Sequence, residues 1–375
     1  MLGRDKLVVR IVAAKSADVV SEPVRACLPH EALIRIAAVG VCATDVELYD
    51  GTMGYFASGL ARVPLVPGHE WAGEIVALGE NAPAHLAVGQ RVIGEHCTGC
   101  PLLSPAGRAP CGICSGPGGF LRCPKRRETG FFGRDGAFQT EMHFPADQLH
   151  VLPSAVPWPL AVLAEPLCTV HKAVRLAGLP PDAAGRRAVV VGDGAVGLLL
   201  LQVLRARGVA VALIGGTASR RRRAADLGAE LVLDAAEGPA QLAKSIASQD
   251  AWAELPSLAF EAAGHPAAVV SALQLVAPGG QLVLLGLSGN QLAQVCTDDV
   301  VLRQLTIKGS LSSDPEDWPA VRELMSCGKL SSVVTHTLHG LDTYTEAIEL
   351  VRRPPEGMIK VIVEPGGDSA KRPCR

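Results

Sequence analysis

The sequence predicts a two-domain protein in which a β-rich, barrel-like domain is joined to an α/β domain built on a parallel sheet. Three observations carry that prediction. The chain has 375 residues, too many for one ordinary core. Up to residue 159 apolar residues alternate in short β-branched runs punctuated by Pro and Gly, whereas from residue 160 longer helical apolar stripes separate buried-strand runs. The third observation is a glycine-rich turn, Gly192-Asp193-Gly194-Ala195-Val196-Gly197, placed between such a strand and such a helix.

In the first domain the alternating stretches are Leu33 to Val39, Gly73 to Leu78 and Gln90 to Gly94. In the second, Ala188 to Val191 reads as a buried strand and Leu198 to Arg207 as a helix. Further strands are expected at Ala210 to Ile214, Leu231 to Leu233, Leu258 to Glu261 and, after Pro278-Gly279-Gly280, at Gln281 to Gly286. The Gly-x-Gly-x-x-Gly between strand and helix is the context of a Rossmann dinucleotide site. Gly192 permits the tight turn, Gly194 lets backbone approach a pyrophosphate, and Gly197 allows close helix–sheet packing, with Val196 completing the motif. The helix N-terminus then faces the phosphates. The polar, Gly/Pro-containing tail from Gly366 to Arg375 is expected to be poorly ordered.

The net charge of −2 gives no electrostatic reason to expect nucleic acid or a membrane surface as partner. Arg4, Asp5 and Lys6 lead straight into a strand-like stretch instead of a signal peptide, and the longest apolar runs are too short to span a bilayer. A soluble cytoplasmic protein is expected. Eleven cysteines are an odd count in a long chain, and five lie between Cys97 and Cys123, which favours metal binding over disulfides.

Pro67-Gly68-His69-Glu70-Trp71-Ala72-Gly73, with Gly40-Val41-Cys42-Ala43-Thr44-Asp45 upstream and Glu165-Pro166-Leu167 downstream, supplies a thiolate, an imidazole and carboxylates from separate segments. Such a set suits a four-coordinate zinc that keeps one position for water or substrate. Gly68-His69-Glu70, followed by Gly73, Gly79 and Ala82, has the spacing of the zinc signature in the medium-chain zinc-dependent alcohol dehydrogenases. The chain resembles that family over nearly its whole length, most closely its polyol branch of sorbitol and threonine dehydrogenases.

That resemblance implies a GroES-like catalytic domain over residues 1–159 and 308–375 and a Rossmann domain over 160–307. It implies Cys42 and His69 as ligands of a catalytic zinc, with Glu70 and Glu165 sharing the remaining protein positions directly or through water. It further implies that Thr44 relays the substrate proton, although a local turn hydrogen bond is an alternative for that hydroxyl. Glu47 stands where simple alcohol dehydrogenases often carry a relay histidine, which leaves it available to a polar or cationic substrate. Asp45 is expected to orient the thiolate or nearby backbone.

The family also carries a structural zinc on four clustered cysteines. The spacing departs here, because Pro101 to Pro110 is inserted. Cys100, Cys111, Cys114 and Cys123 form the expected quartet, with Cys97 as the alternative to Cys100 and a site lost to the insertion as the third reading.

An NAD site usually carries an acid ~20 residues past the glycine motif. Here that place holds Gly215, followed by Thr217 and Arg220 in an arginine run. Loss of the carboxylate beside basic residues favours NADP over NAD, while a solvated helix face is the other reading of the run. The resemblance implies oxidation of a secondary alcohol in a polyol, sugar or cyclitol. Thr129 to Phe138 and Ala164 to Leu167 also look like the corresponding segments of 2-deoxy-scyllo-inosamine dehydrogenases, which oxidise an aminocyclitol in antibiotic biosynthesis. The rival readings are a zinc-free enone or quinone reductase, disfavoured by Cys42, His69 and Glu165, and a non-catalytic dinucleotide-binding protein. A homodimer or homotetramer is expected from the family.

Overall fold

The computed structural model describes residues 4–99, 111–114, 119–252, 254–289 and 291–366. Two compact units result. The first contains the chain up to Glu165, Ser313–Gly328 and the chain from Val334; the second contains Pro166–Ser312 and Lys329–Val333. The tail beyond Gly366, Cys100 and the Pro101 to Pro110 insertion lie outside the described residues.

In the first unit the hairpin β1 (Asp5–Ala13) and β2 (Ser16–Pro23) precedes β3 (Glu31–Val41), whose near-continuous burial fits its place inside a sheet. Helix α1 (Ala43–Asp50) follows, then the short α2 (Gly54–Ala57), β4 (Glu70–Leu78), β5 (Arg91–Gly94) and β6 (Cys97–Thr98). After α3 (Gly119–Arg122) come β7 (Arg127–Thr129), β8 (Gly133–Arg134), β9 (Glu141–Pro145) and β10 (Leu149–Leu152). The short α4 (Trp158–Ala161) and α5 (Ala164–Leu176) lead into the second unit. A seven-stranded sheet runs β10-β5-β4-β3 and continues into two strands from the far end of the chain, with β9 also paired to β3. Trp71, Phe138, Phe144, Ile34 and Ile75 fill the core beneath it.

The second unit alternates strand and helix. It comprises β11 (Arg187–Val191), α6 (Ala195–Ala206), β12 (Ala210–Gly215), α7 (Ala218–Asp226), β13 (Leu231–Asp234), α8 (Pro239–Ala247), β14 (Leu258–Glu261), α9 (Pro266–Gln274), β15 (Gln281–Leu284), α10 (Thr297–Leu302) and β16 (Thr306–Gly309). All are parallel, in the order β13-β12-β11-β14-β15-β16. Numbered from β11 this is 3-2-1-4-5-6, the doubly wound Rossmann order, whose switch point lies between β11 and β14. Val189, Val191, Ile214 and Leu282 belong to its core. The expected strand Gln281 to Gly286 is observed over Gln281–Leu284, opposite Leu258–Glu261 of β14.

Back in the first unit, α11 (Asp317–Ser326), β17 (Val334–His339), α12 (Tyr344–Arg352) and β18 (Lys360–Glu364) finish the fold. Strand β18 pairs with β3, so residues near the C-terminus of the described chain come beside residues near position 40. Among the described residues no helix is long and apolar enough to cross a membrane.

Candidate active site

Cys42 is the N-cap of α1, held by a reciprocal box: the Asp45 carboxylate accepts the Cys42 N–H at 2.8 Å, and the Asp45 N–H donates to the Cys42 carbonyl at 3.1 Å. The other Asp45 oxygen faces His69 Nδ1 at 3.6 Å. Asp45 is fully buried, so one carboxylate holds the Cys42 backbone through a hydrogen bond and sets a negative charge beside the His69 ring. Burial works against a charged His69, but Asp45 and the Cys42 sulfur outweigh it and hold its pKa well above the ordinary value.

The loop carrying His69 is strapped in place by residues 136–138. Gly136 donates to the Val66 carbonyl, Ala137 to that of Gly68 and Phe138 to that of Pro67. Gly68 sits at φ +100°, and a Cβ there would come within 2.8 Å of the Phe138 ring. Glycine is therefore required immediately before His69 on both conformational and steric grounds.

Glu70 opens β4 opposite Gly40 of β3, and Gly40 in turn lies opposite Ile362 of β18. This register puts the buried Lys360 across Gly40 from Glu70: Lys360 Nζ lies 2.6 Å from Glu70 Oε1 and 2.5 Å from Oε2. A Cβ on Gly40 would come within 2.2 Å of Oε2, so the bare glycine makes room for the pair. Burial opposes the Lys360 charge, but Glu70 outweighs it and raises the lysine pKa.

Cys42, His69 and Glu70 form one group, each with a ligand atom within 4.8 Å of the others. A thiolate, an imidazole and a carboxylate converging at that distance fit a zinc ion. Thr44 Oγ1 lies 3.7 Å from Cys42 Sγ. Glu47, on the same helix, is half-buried, and that burial pushes its carboxyl above the usual range. Glu165 is buried in the first turn of α5 and stands outside the group of three. Phe131 packs on His69 and on the neighbouring His96, at ring-centroid distances of 4.6 and 4.9 Å. Burial pushes the His96 pKa well below its ordinary value, and His69, Arg134 and Arg126 push the same way.

A second group brings together Cys111, Cys114 and Cys123, again within 4.8 Å of one another. Three thiols at that spacing fit a structural zinc short of one ligand. Cys97 is buried on β6 and is not a member of the group; Cys100 is not among the described residues.

In the second unit the glycine turn closes on itself. A Cβ on Gly197 would lie 2.0 Å from the Gly192 carbonyl oxygen, and one on Gly192, at φ +132°, would lie 2.7 Å from the backbone of Ala262. Gly194 caps α6 in extended conformation and borders open space, and half-buried Val196 lies in the first turn. The N-terminus of α6 thereby fits a dinucleotide's phosphates.

The tip of β12 lacks an acid of its own, as the sequence reads. Gly215 is bare, yet the Asp193 carboxylate lies against it: a Cβ at 215 would be 2.6 Å from Asp193 Oδ2. That oxygen accepts the Thr217 N–H at 2.9 Å, and Arg220 lies 4.0 Å from Oδ1. The arginine run also divides. Arg221 donates to the Gly215 carbonyl at 3.0 Å and pairs with Asp234 at 2.7 Å, Arg223 donates to the Ser332 carbonyl at 3.1 Å, and Arg222 is exposed.

Sequence reasoning singled out neither Lys360, nor His96, nor a ribose-end role for Asp193. The signals available were a lysine opening a Val-Ile-Val strand and an acid between two motif glycines.

Comparison with known proteins agrees with this geometry. Residues 28–154 match the alcohol dehydrogenase GroES-like domain and residues 195–326 match the zinc-binding dehydrogenase domain; together these spans cover more than half the chain. An L-threonine 3-dehydrogenase of Pyrococcus horikoshii is 29% identical over 345 residues, covering 88% of this chain and 90% of that protein. A D-arabitol-phosphate dehydrogenase of Enterococcus avium is 28% identical over 337 residues, covering 88% and 89% respectively. A crystal structure described as a zinc-binding dehydrogenase of Sinorhizobium meliloti 1021 bound to NADP superposes with a TM-score of 0.84 at 26% identity, over 97% of this chain and all of that one. With a GroES-like domain, a Rossmann domain and relatives that are named dehydrogenases, the chain belongs to the zinc-binding medium-chain dehydrogenase family and is an oxidoreductase.

Proposed function

We propose that the protein oxidises a secondary alcohol of a polyol, sugar or cyclitol to a ketone, with an aminocyclitol as the preferred class, using zinc held by Cys42 and His69. The observation that carries this reading is the convergence of Cys42, His69 and Glu70 around the Asp45 brace. When bound, zinc supplies Lewis-acid polarisation of the substrate hydroxyl and a nicotinamide ring supplies the hydride acceptor. Asp45, whose carboxylate faces His69 Nδ1 at 3.6 Å, would orient the ring so that Nε2 could serve the metal. Thr44, beside Cys42, takes the hydroxyl proton. Glu47 follows as the outer acceptor or pairs with a substrate amine, a role its half-buried carboxylate supports. Glu70, engaged by Lys360, and Glu165 share the remaining protein coordination. Gly215 and Arg220 support a preference for NADP over NAD, and the protein works in the cytoplasm. A panel of polyols and aminocyclitols, assayed with both cofactors before and after zinc removal, tests the reading. Zinc-dependent cofactor reduction by a polyhydroxylated alcohol is expected; activity that survives complete zinc removal contradicts it.

A second zinc on Cys100, Cys111, Cys114 and Cys123 is proposed to be structural. Cys111→Ser is expected to lower the metal content from two ions per chain to one and to destabilise or aggregate the protein, whereas Cys97→Ser retains both ions. Metal analysis of the two variants checks this, and the reverse ranking transfers the ligand role to Cys97.

The homo-oligomer is proposed to form along β16. This strand ends the second unit's sheet, and Val301, Leu302 and Ile307 are exposed at or just before it. Light scattering is expected to find a dimer or tetramer that Leu302→Glu dissociates at micromolar concentration. A monomeric wild-type protein overturns the proposal.

A further inference from the structure

We propose that Asp193, inside the glycine motif, is the residue that sets the balance between NAD and NADP, doing from the turn after β11 what an acid at the tip of β12 does elsewhere. The inference rests on the nicotinamide-dinucleotide reading of the second unit and goes beyond it.

In a Rossmann fold the tip of the second strand is where the adenosine ribose is read, because a carboxylate there accepts a ribose hydroxyl and repels a 2′-phosphate. Residue 215 occupies that tip here and has no side chain. Parallel pairing of β11 with β12 sets Val191 opposite Ile214, so the residues following each strand emerge side by side. Asp193 uses this adjacency. Its carboxylate fills the space that a side chain at 215 would need, since a Cβ there would lie 2.6 Å from Oδ2, 2.7 Å from the Asp193 Cβ and 2.9 Å from Cγ. The glycine at 215 and the aspartate at 193 are therefore alternatives for a single space.

The carboxylate is also held in position. Asp193 is buried, and Oδ2 accepts the N–H of Thr217, the N-cap of α7. That bond leaves Oδ1 as the acceptor that faces Arg220. Arg221 and Arg223 are engaged with Gly215, Asp234 and Ser332, so the charge opposing Asp193 at this point is that of Arg220. A ribose hydroxyl meets an anchored acceptor, whereas a 2′-phosphate meets Asp193 and Arg220 together, and the arginine's attraction is reduced by the acid. Arg220 thus favours NADP and Asp193 restrains that preference.

The test is calorimetric titration of the zinc-loaded, full-length protein with NAD and with NADP. Asp193→Asn keeps an oxygen for the Thr217 N–H and removes only the charge. It is expected to raise the NADP-to-NAD affinity ratio by about 10- to 100-fold, the range for one charge-assisted contact. Arg220→Ala is expected to move the ratio the other way. Gly215→Asp alone is expected to weaken both cofactors, because the new side chain meets Asp193, while Asp193→Gly combined with Gly215→Asp recovers NAD binding by moving the acid to the strand tip. Asp193→Asn that weakens both cofactors equally, or leaves the ratio unchanged, overturns the proposal and reduces Asp193 to a brace for the loop. Wild-type protein that binds neither cofactor overturns the dinucleotide reading itself, so the two failures are distinguishable.

Discussion

Cys42→Ala is expected to remove one zinc per chain and to lower kcat/KM by about three orders of magnitude, while thermal stability changes little. The size of the loss follows from what the metal contributes: Lewis-acid stabilisation of developing negative charge supplies several kcal/mol, and each ~1.4 kcal/mol is a factor of ten in rate. The small effect on stability follows from the site's construction. Cys42 is only half-buried, and the hydrogen bonds that hold α1 at this point run through its backbone to Asp45, which alanine preserves. The His69 loop is strapped by residues 136–138 independently of the thiol. Metal analysis, steady-state kinetics and thermal melts of one preparation check all three statements. A variant that keeps its zinc and its turnover contradicts the ligand assignment, and one that unfolds shows Cys42 to be structural.

Lys360→Met is expected to cost the zinc-free protein about 3–5 kcal/mol of stability, the range for removing one partner of a buried ion pair. Both ends of this pair are buried, and Nζ donates to Glu70 Oε1 with Oε2 in ion-pair contact. Methionine therefore leaves a carboxylate facing an apolar neighbour across Gly40. Two further variants identify the cause. Lys360→Arg retains the charge and costs less, and Lys360→Met combined with Glu70→Gln regains most of the loss, because the residual cost is then that of a neutral polar group. Denaturant titration of the zinc-stripped proteins measures this. A loss below about 1 kcal/mol for Lys360→Met would place the pair among exposed ion pairs in energetic terms.

Lys360 also shows where sequence reading stopped. Cys42, His69 and Glu70 were legible because motif spacing and donor chemistry name them within short segments. Lys360 lies 290 residues beyond Glu70 and joins it only because β18 crosses back to pair with β3 while β4 pairs on the other side. In sequence it is an ordinary lysine at the start of a strand. The expected strands of the Rossmann half lie at β11 to β15 because parallel strands are buried on both faces and read as continuous apolar runs.

At the cofactor end the structure adds a contact that sequence separation conceals. Position 215 carries no acid, as the sequence reads, and the space beside it is filled by Asp193 through the register of β11 and β12. In sequence the arginine run offers two readings, a phosphate-binding patch and a solvated helix face. On α7 successive residues point about 100° apart, so Arg220, Arg221, Arg222 and Arg223 reach an acid, a carbonyl with a second acid, solvent and another carbonyl. For the cysteine cluster, spacing across the insertion leaves two choices of ligand and a lost site as the third reading. Three expected members, Cys111, Cys114 and Cys123, are grouped in the structure, and Cys100 lies outside the described residues.

The most direct test of the central claim, that Cys42 and His69 hold the working metal, is an anomalous-scattering map of the crystallised, active enzyme measured on both sides of the zinc absorption edge. An edge-specific peak is expected within bonding distance of Cys42 Sγ and His69 Nε2, with a second peak among Cys111, Cys114 and Cys123. An active crystal with no zinc peak between Cys42 and His69 would contradict it.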